Sequence, residues 1–331
     1  MRWRRYSAPV DDVRWFAPNP YTALIVPELR RRGLTIATEG DGPARVALAM
    51  SGLRAEAAWR FARVHHARLL VFLWDLPPVG TARGRADPVW WAGGRFLRLP
   101  RPWGGYGRRR GYYSRLRYIS RRADAVLVPS AMTREIVAAR FGVRSELVPY
   151  CYDSGRFRPG TTARTLPPVL LTVSRLIPHK NQGAVLRAAA TLGRPVQVRL
   201  IGRGPERHRL EQLAAAMGVR CTVETSADDE AVTRAYHEAS VAVCPSRFEG
   251  FGLTPVEAVA AGVPVVASDI PPHREHVGRA AQLVPLDDDT ALAAAIEGAL
   301  DGPPADPALV RELTIDAAAD RFLSSIRSLL R

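Results

Sequence analysis

Lysine is almost missing from this chain. Of its 331 residues 47 are Lys or Arg, and Lys180 is the only Lys among them. Acids are scarce too, 32 in all, which leaves a formal net charge of +15. Such a charge invites a nucleic-acid partner, because clustered cations neutralise phosphates and release counterions. Uniform use of Arg along the whole chain reads instead as a compositional bias of the source, and no nucleic-acid partner is expected. Cysteine is nearly as rare. Cys151, Cys221 and Cys244 stand without metal-ligand spacing and offer no set of pairs for a disulfide framework. Long apolar runs are absent as well: no stretch approaches the roughly 20 residues of a membrane span, and the basic start Met1-Arg-Trp-Arg-Arg lacks a following signal core. A cytoplasmic protein is expected.

What remains is a globular composition, 47% apolar and 24% charged, in a chain long enough for two domains of about 150 residues. From Val169 onward short apolar runs alternate with amphipathic stretches, the rhythm of a parallel sheet with crossover helices. Strands are expected at Val169–Ser174, Gln197–Gly202, Arg220–Glu224, Val241–Ser246, Val263–Ser268 and Gln282–Leu286. The first half alternates less cleanly, with strands at Val13–Ala17, Val46–Met50, Arg68–Trp74 and Ala125–Pro129. Between them Pro149–Pro168, rich in Pro, Gly, Thr and Arg, has the composition of a linker. The expected division is 1–158 and 159–331, two doubly wound α/β domains facing a central cleft, the second carrying the C-terminal helices.

Two segments carry chemistry. In Ser246-Arg-Phe-Glu249-Gly250-Phe251-Gly252-Leu253-Thr254-Pro-Val-Glu257 a strand ends, a glycine loop follows, and a helix begins with Thr254 as cap and Pro255 at its first position. Glycines let backbone approach a phosphate, and the helix N-terminus then faces it. Glu249 and Glu257 suit sugar hydroxyls beside that phosphate. Glu257 has a second reading, since Thr-Pro-Val-Glu is also a capping box. The other segment, Ser174-Arg175-Leu-Ile-Pro-His-Lys180-Asn181, also leaves a strand and enters a helix, with Asn181 as its cap. Arg175 and Lys180 there could face the departing diphosphate, or be ordinary surface cations. That the only Lys of the chain falls at this point favours the former, because an ammonium is a compact point donor.

The Glu249-to-Glu257 pattern, with Gly-Phe-Gly-Leu inside it and Ala-Val-Ala-Ala-Gly-Val-Pro-Val-Val-Ala-Ser after it, resembles the retaining nucleotide-sugar glycosyltransferases of the GT-B fold, group 1 or family 4. Val173-Ser-Arg175-Leu, Lys180-Asn181, Leu200-Ile-Gly-Arg-Gly204-Pro-Glu-Arg, Val128-Pro-Ser130, Val148-Pro149, Asp153 and Phe157-Arg-Pro159 follow that family's order. The resemblance implies that Arg175 and Lys180 hold a diphosphate, Glu257 the ribose hydroxyls and Glu249 the donor sugar, with Ser246 and the backbone of Gly250 to Thr254 as cradle. It places Gly202, Gly204, Glu224 and Thr225 near the base. It further implies a UDP-, GDP- or ADP-sugar donor, transfer with retention, no metal and no other cofactor. The acceptor would be a glycan, a lipid-linked sugar or a small molecule. Two places depart from the pattern. Pro18-Asn-Pro-Tyr21 replaces the usual first glycine loop, and Trp74 stands where the family usually has a His before Asp75, which implies a reshaped donor-sugar pocket.

Competing readings are a sugar phosphorylase or nucleotide-sugar epimerase on the same architecture, and a non-catalytic nucleotide-sugar binding protein. Gly202-Arg-Gly204 lacks the third glycine of a dinucleotide loop, Asp287-Asp-Asp289 reads as a helix cap, and His273, Glu275 and His276 lack zinc-helix spacing. Residues 79–111 hold eight arginines, one acid and Trp90, Trp91 and Trp103. That mixture suits either an anionic membrane surface, and then a peripheral place at the inner membrane face, or a loop closing over the cleft.

Overall fold

The computed structural model describes residues 10–16, 20–38, 42–74, 76, 89–92, 95–98, 112–160 and 166–331. Pro18 and Asn19 of the first-loop replacement, Asp75 and most of 79–111 lie outside them.

The elements run β1 (Asp11–Phe16), α1 (Pro20–Arg31), β2 (Ile36–Ala37), β3 (Ala44–Ala49), α2 (Ala55–His65), β4 (Arg68–Phe72), β5 (Val89–Ala92), β6 (Arg95–Arg98), α3 (Tyr112–Ser120), β7 (Ala125–Val128), α4 (Ala131–Phe141) and β8 (Glu146–Leu147). They continue as β9 (Val169–Val173), α5 (Gln182–Ala189), β10 (Gln197–Ile201), α6 (Arg207–Ala216), β11 (Cys221–Glu224), α7 (Asp229–Glu238), β12 (Val241–Cys244), α8 (Leu253–Ala260), β13 (Val265–Ser268), α9 (Pro271–Val277), β14 (Ala281–Val284), α10 (Asp289–Asp301) and α11 (Ile315–Leu330).

Two compact units result. The first comprises Met1–Val89, Arg98–Cys151 and Leu313–Arg331, the second Trp90–Leu97 and Tyr152–Glu312. The first holds a six-stranded sheet in the order β2-β1-β3-β4-β7-β8, parallel throughout. Its central strands β3, β4 and β7 are nearly continuous apolar runs, as a sheet covered on both faces requires. One face packs Val13, Trp15, Val46 and Leu48 against Ile25 and Leu29 of α1 and against Ala319, Phe322 and Ile326 of α11. The final helix therefore completes the first unit's core. The linear division at 158/159 assigns that helix to the second domain, because an amphipathic pattern shows that a helix needs a partner surface without showing whose.

The second unit's sheet runs β11-β10-β9-β12-β13-β14, again all parallel. Numbered within the unit this is the strand order 3-2-1-4-5-6, in which the crossovers reverse direction between β9 and β12. Leu170, Val198, Leu200, Val241, Val243 and Val266 bury one face under α5, α6 and α10.

The segment expected to be a linker is partly a packed arm. Asp153 Oδ1 accepts from the amides of Gly155 (2.9 Å) and Arg156 (3.3 Å), and Phe157 lies edge-on to Tyr236 at 5.5 Å. Pro- and Gly-rich composition reports a lack of periodicity, not a lack of contacts.

Candidate functional site

In a doubly wound sheet ligands bind beyond the carboxyl ends of the strands, where the winding reverses. In the second unit that point lies between the segments following β9 and β12. Those are the two segments singled out by sequence.

After β9 the chain passes Ser174, Arg175 and Leu176 and makes a single 3₁₀ turn, Pro178–Lys180. The path is fixed by backbone bonds across the sheet: Ser174 N–H donates to Ile201 O (2.9 Å), Leu176 N–H to Arg203 O (2.8 Å) and Glu206 N–H to Leu176 O (3.0 Å). Such closeness requires Gly202 and Gly204. A Cβ on Gly202 would stand 1.9 Å from Ser174 O, and one on Gly204 2.1 Å from Leu176 O. Gln182 Nε2 adds a clamp, donating to Ser174 Oγ and Arg175 O at 2.8 Å each. Asn181 adopts a left-handed backbone (φ 56°) and makes no side-chain cap to α5, so its expected capping role is not realised. Arg175 is exposed.

After β12 comes the glycine loop. Lys180 Nζ donates to Glu249 Oε1 at 2.5 Å, both side chains being largely buried at 13% and 15% exposure. Burial pushes the Glu249 carboxyl up, but the Lys180 ammonium more than reverses this, aided by a hydrogen bond from Ser246, and the carboxyl titrates at about 2. The chain's only lysine and Glu249 are thus one ion pair at the reversal point.

Gly252, at φ 88°, is the N-cap of α8, and no side chain caps that helix. The helix thus starts two residues earlier than expected, at Leu253 instead of Pro255. Thr254 lies inside the first turn, its hydroxyl donating to Val173 O (3.0 Å) and so tying α8 to the end of β9. The capping box therefore does not form. Glu257 turns elsewhere and meets the Tyr236 hydroxyl through Oε2 at 3.3 Å. Burial lifts its carboxyl to about 8, against the smaller opposing pull of Arg156 and the Tyr236 hydrogen bond.

Beneath the glycine loop lies His273, fully buried. Its Nδ1 is 2.8 Å from Ser268 O. A carbonyl only accepts, so Nδ1 carries the proton and Nε2 is bare; Nε2 has no hydrogen-bond partner. Burial depresses the imidazole's basicity despite the nearby Glu249 charge. A Cβ on Gly252 would lie 2.8 Å from His273 Cδ2. Gly252→Ala is accordingly expected to destabilise the protein by about 2 kcal/mol, from left-handed strain and the ring contact together. Urea unfolding measures this, and adding His273→Ala should return part of the loss; an unchanged single variant would show that the loop does not rest on the ring.

Glu224 and Thr225 sit at the end of the edge strand β11. The Glu224 carboxylate is engaged by the Arg199 guanidinium, which also meets Glu238 at 2.7 Å, and Thr225 offers its carbonyl to Arg203 at 2.6 Å. Phe251 is buried against the His276 ring, 4.0 Å between centroids. In the first unit Trp74 donates its indole N–H to Met50 O and lies edge-on to Tyr150 at 6.0 Å. Sequence reasoning missed Tyr236 and Arg156 altogether and set His273 aside for its lack of zinc-helix spacing. A buried aromatic with a polar tip inside an amphipathic helix gives no signal of the carboxylate it will meet. Among the described residues no cluster of His, Cys, Asp and Glu could hold a metal ion, and no helix is long and apolar enough to cross a membrane.

Two parallel doubly wound sheets with this arrangement at the second place the chain in the GT-B fold class. Anabaena Alr3699/HepE, solved with UDP and glucose, superposes with a TM-score of 0.71 over 96% of this chain and 100% of that one, at 14% identity. Sucrose-phosphate synthase from Thermosynechococcus elongatus gives 0.69 over 87% and 74%, at 25% identity. Residues 153–313 match the family described as glycosyl transferases group 1. A GDP-mannose-dependent alpha-(1-6)-phosphatidylinositol monomannoside mannosyltransferase of Mycolicibacterium smegmatis is 34% identical over 175 residues, 46% of each chain. The MMP alpha-(1->4)-mannosyltransferase of Mycolicibacterium hassiacum is 30% identical over 203 residues, 58% of this chain and 49% of that one. The chain spans about half the length of these curated relatives.

Proposed function

We propose that the protein is a retaining, metal-independent glycosyltransferase that moves a sugar from a nucleoside-diphosphate sugar to an acceptor hydroxyl. The observation that carries this reading is the Lys180–Glu249 pair at the reversal point of a 3-2-1-4-5-6 sheet, beside a helix N-terminus that no side chain caps. The two charges neutralise each other. An arriving donor separates their tasks: the diphosphate takes Lys180 and Arg175, together with the first-turn amides of α8, while Glu249 accepts from hydroxyls of the transferred sugar.

Glu257 faces the ribose, Ser246 and Gly250 to Thr254 form the cradle, and Gly202, Gly204, Glu224 and Thr225 border the base. Fixed cations then stabilise the charge that develops on the leaving diphosphate, the role a metal ion would otherwise fill. Same-face attack assisted by that phosphate retains the anomeric configuration. Relatives whose names include GDP-mannose and a structural neighbour holding UDP support a guanine or uracil donor ahead of ADP. The phosphatidylinositol monomannoside in the name of the Mycolicibacterium smegmatis relative supports a lipid-linked acceptor, and residues 79–111 supply basic and aromatic residues suited to an anionic surface.

Calorimetry against UDP, GDP and ADP tests the reading. One of the three is expected to bind with a micromolar Kd, and product analysis with the matching sugar donor should show retention and no loss of rate on adding a chelator. Silence from all three nucleotides would overturn it.

A further inference from the structure

Tyr236 is fully buried, and its hydroxyl stands between two oxygens, Thr254 O at 3.4 Å and Glu257 Oε2 at 3.3 Å. A phenol has one proton to give. The Thr254 carbonyl can only accept, so when the phenol donates there, the second contact holds only if Glu257 supplies a proton of its own to the phenol oxygen. The natural cation for a carboxylate in this place is Arg156, but it is occupied. Its guanidinium bonds the Asp229 carbonyl at 2.8 Å and the Asp229 carboxylate at 3.0 Å, and reaches toward the Thr233 hydroxyl. The groups facing Glu257 are Tyr236 and Asp229 from α7, Arg156 from the arm before β9 and the Cys244 thiol from β12. Of these Asp229 disfavours a charge on Glu257 by repulsion.

We propose that Glu257 is a protonated acid before a nucleotide binds, its carboxyl oriented by Tyr236 as a positioning residue, and that nucleoside binding expels this proton to the buffer. The inference rests on the nucleotide-sugar reading of the site. Its chemistry is that of the ribose diol: two hydroxyls have two protons to donate, and only an ionised carboxylate offers an acceptor for each without one oxygen being blocked by its own proton. Binding therefore selects the ionised form, and affinity is reduced by the fraction of molecules that carry the proton.

The sign follows from the direction of the shift. With the carboxyl raised to about 8, the binding-competent form is the minor one at neutral pH and becomes the major one above that value. The nucleotide should bind about tenfold tighter near pH 9 than near pH 7. Near pH 7.5, where a terminal phosphate of pKa about 6 is already ionised, binding should release about three quarters of a proton.

The experiment is calorimetry with UDP, GDP and ADP in two buffers of different ionisation enthalpy, on the wild type, Glu257→Gln and Tyr236→Phe, with infrared spectra of the nucleotide-free proteins. The wild type should show proton release and the band of a buried carboxylic acid, and Glu257→Gln neither. Tyr236→Phe removes a donor that favours the ionised carboxylate, so its affinity should rise only at higher pH than in the wild type. Nucleotide binding whose proton count matches that of Glu257→Gln, or an unliganded wild type without the acid band, would overturn the linkage and leave the transferase reading intact. No heat from any nucleotide overturns both.

Discussion

Glu249→Ala is expected to lower sugar transfer by about a hundred- to a thousandfold, the usual cost of removing one group that contacts the reacting centre, while nucleotide affinity stays within about threefold. The asymmetry comes from the pairing in the empty site. Lys180 spends its charge on Glu249 at 2.5 Å, so deleting the acid frees the ammonium for a diphosphate instead of weakening its hold. Losing the acid removes only the acceptor for the transferred sugar's hydroxyls. Glu249→Gln, which keeps one carbonyl acceptor, should fall between the two. Initial rates with the full donor, alongside calorimetry with the nucleotide alone, separate the effects. Equal loss of both would mean that Glu249 shapes the nucleotide site, and unchanged transfer would remove it from the mechanism.

The second large effect is on stability. Lys180→Met should cost about 3 kcal/mol, because breaking a buried pair strands the remaining charge. Lys180→Met combined with Glu249→Gln should recover most of it, since no uncompensated ion is left. Denaturant unfolding of the two singles and the double closes the cycle. The same pair sets an acid limit: Glu249 titrates below its unfolded value of 4.5, at about 2. Its stabilisation is complete above about 4.5 and is lost as pH falls through the folded value. Wild-type stability should therefore drop over that window more steeply than that of Glu249→Gln. Additive single losses would show that the two residues do not act as a pair.

Much of the second unit was legible because β9, β12 and β13 are almost wholly apolar runs and its glycines stand where the backbone touches itself. Lys180 was legible by rarity. Glu257 was not, for a definite reason: Thr-Pro-Val-Glu is chemically a capping box, and only a carbonyl 81 residues away, Val173 O, draws the Thr254 hydroxyl out of that role. With the cap gone, the acid is free for Tyr236. A local pattern cannot show such competition from elsewhere in the sheet. His273 was obscured in the same way. Its spacing excludes a zinc helix, but nothing in Pro-Pro-His-Arg announces that the ring will lie under Gly252.

The placement of α11 also bears on the order in which the chain becomes a protein. Residues 152–312 are contiguous, apart from the short stretch 90–97 that joins them, and can condense once Glu312 has left the ribosome. The first sheet is translated earlier, yet Phe322, Leu323 and Ile326 are part of its core, so its apolar face over Val13, Trp15 and Ile25 stays uncovered until those residues emerge. Domains ordinarily fold in the order of their synthesis. In this chain the unit begun first is finished last.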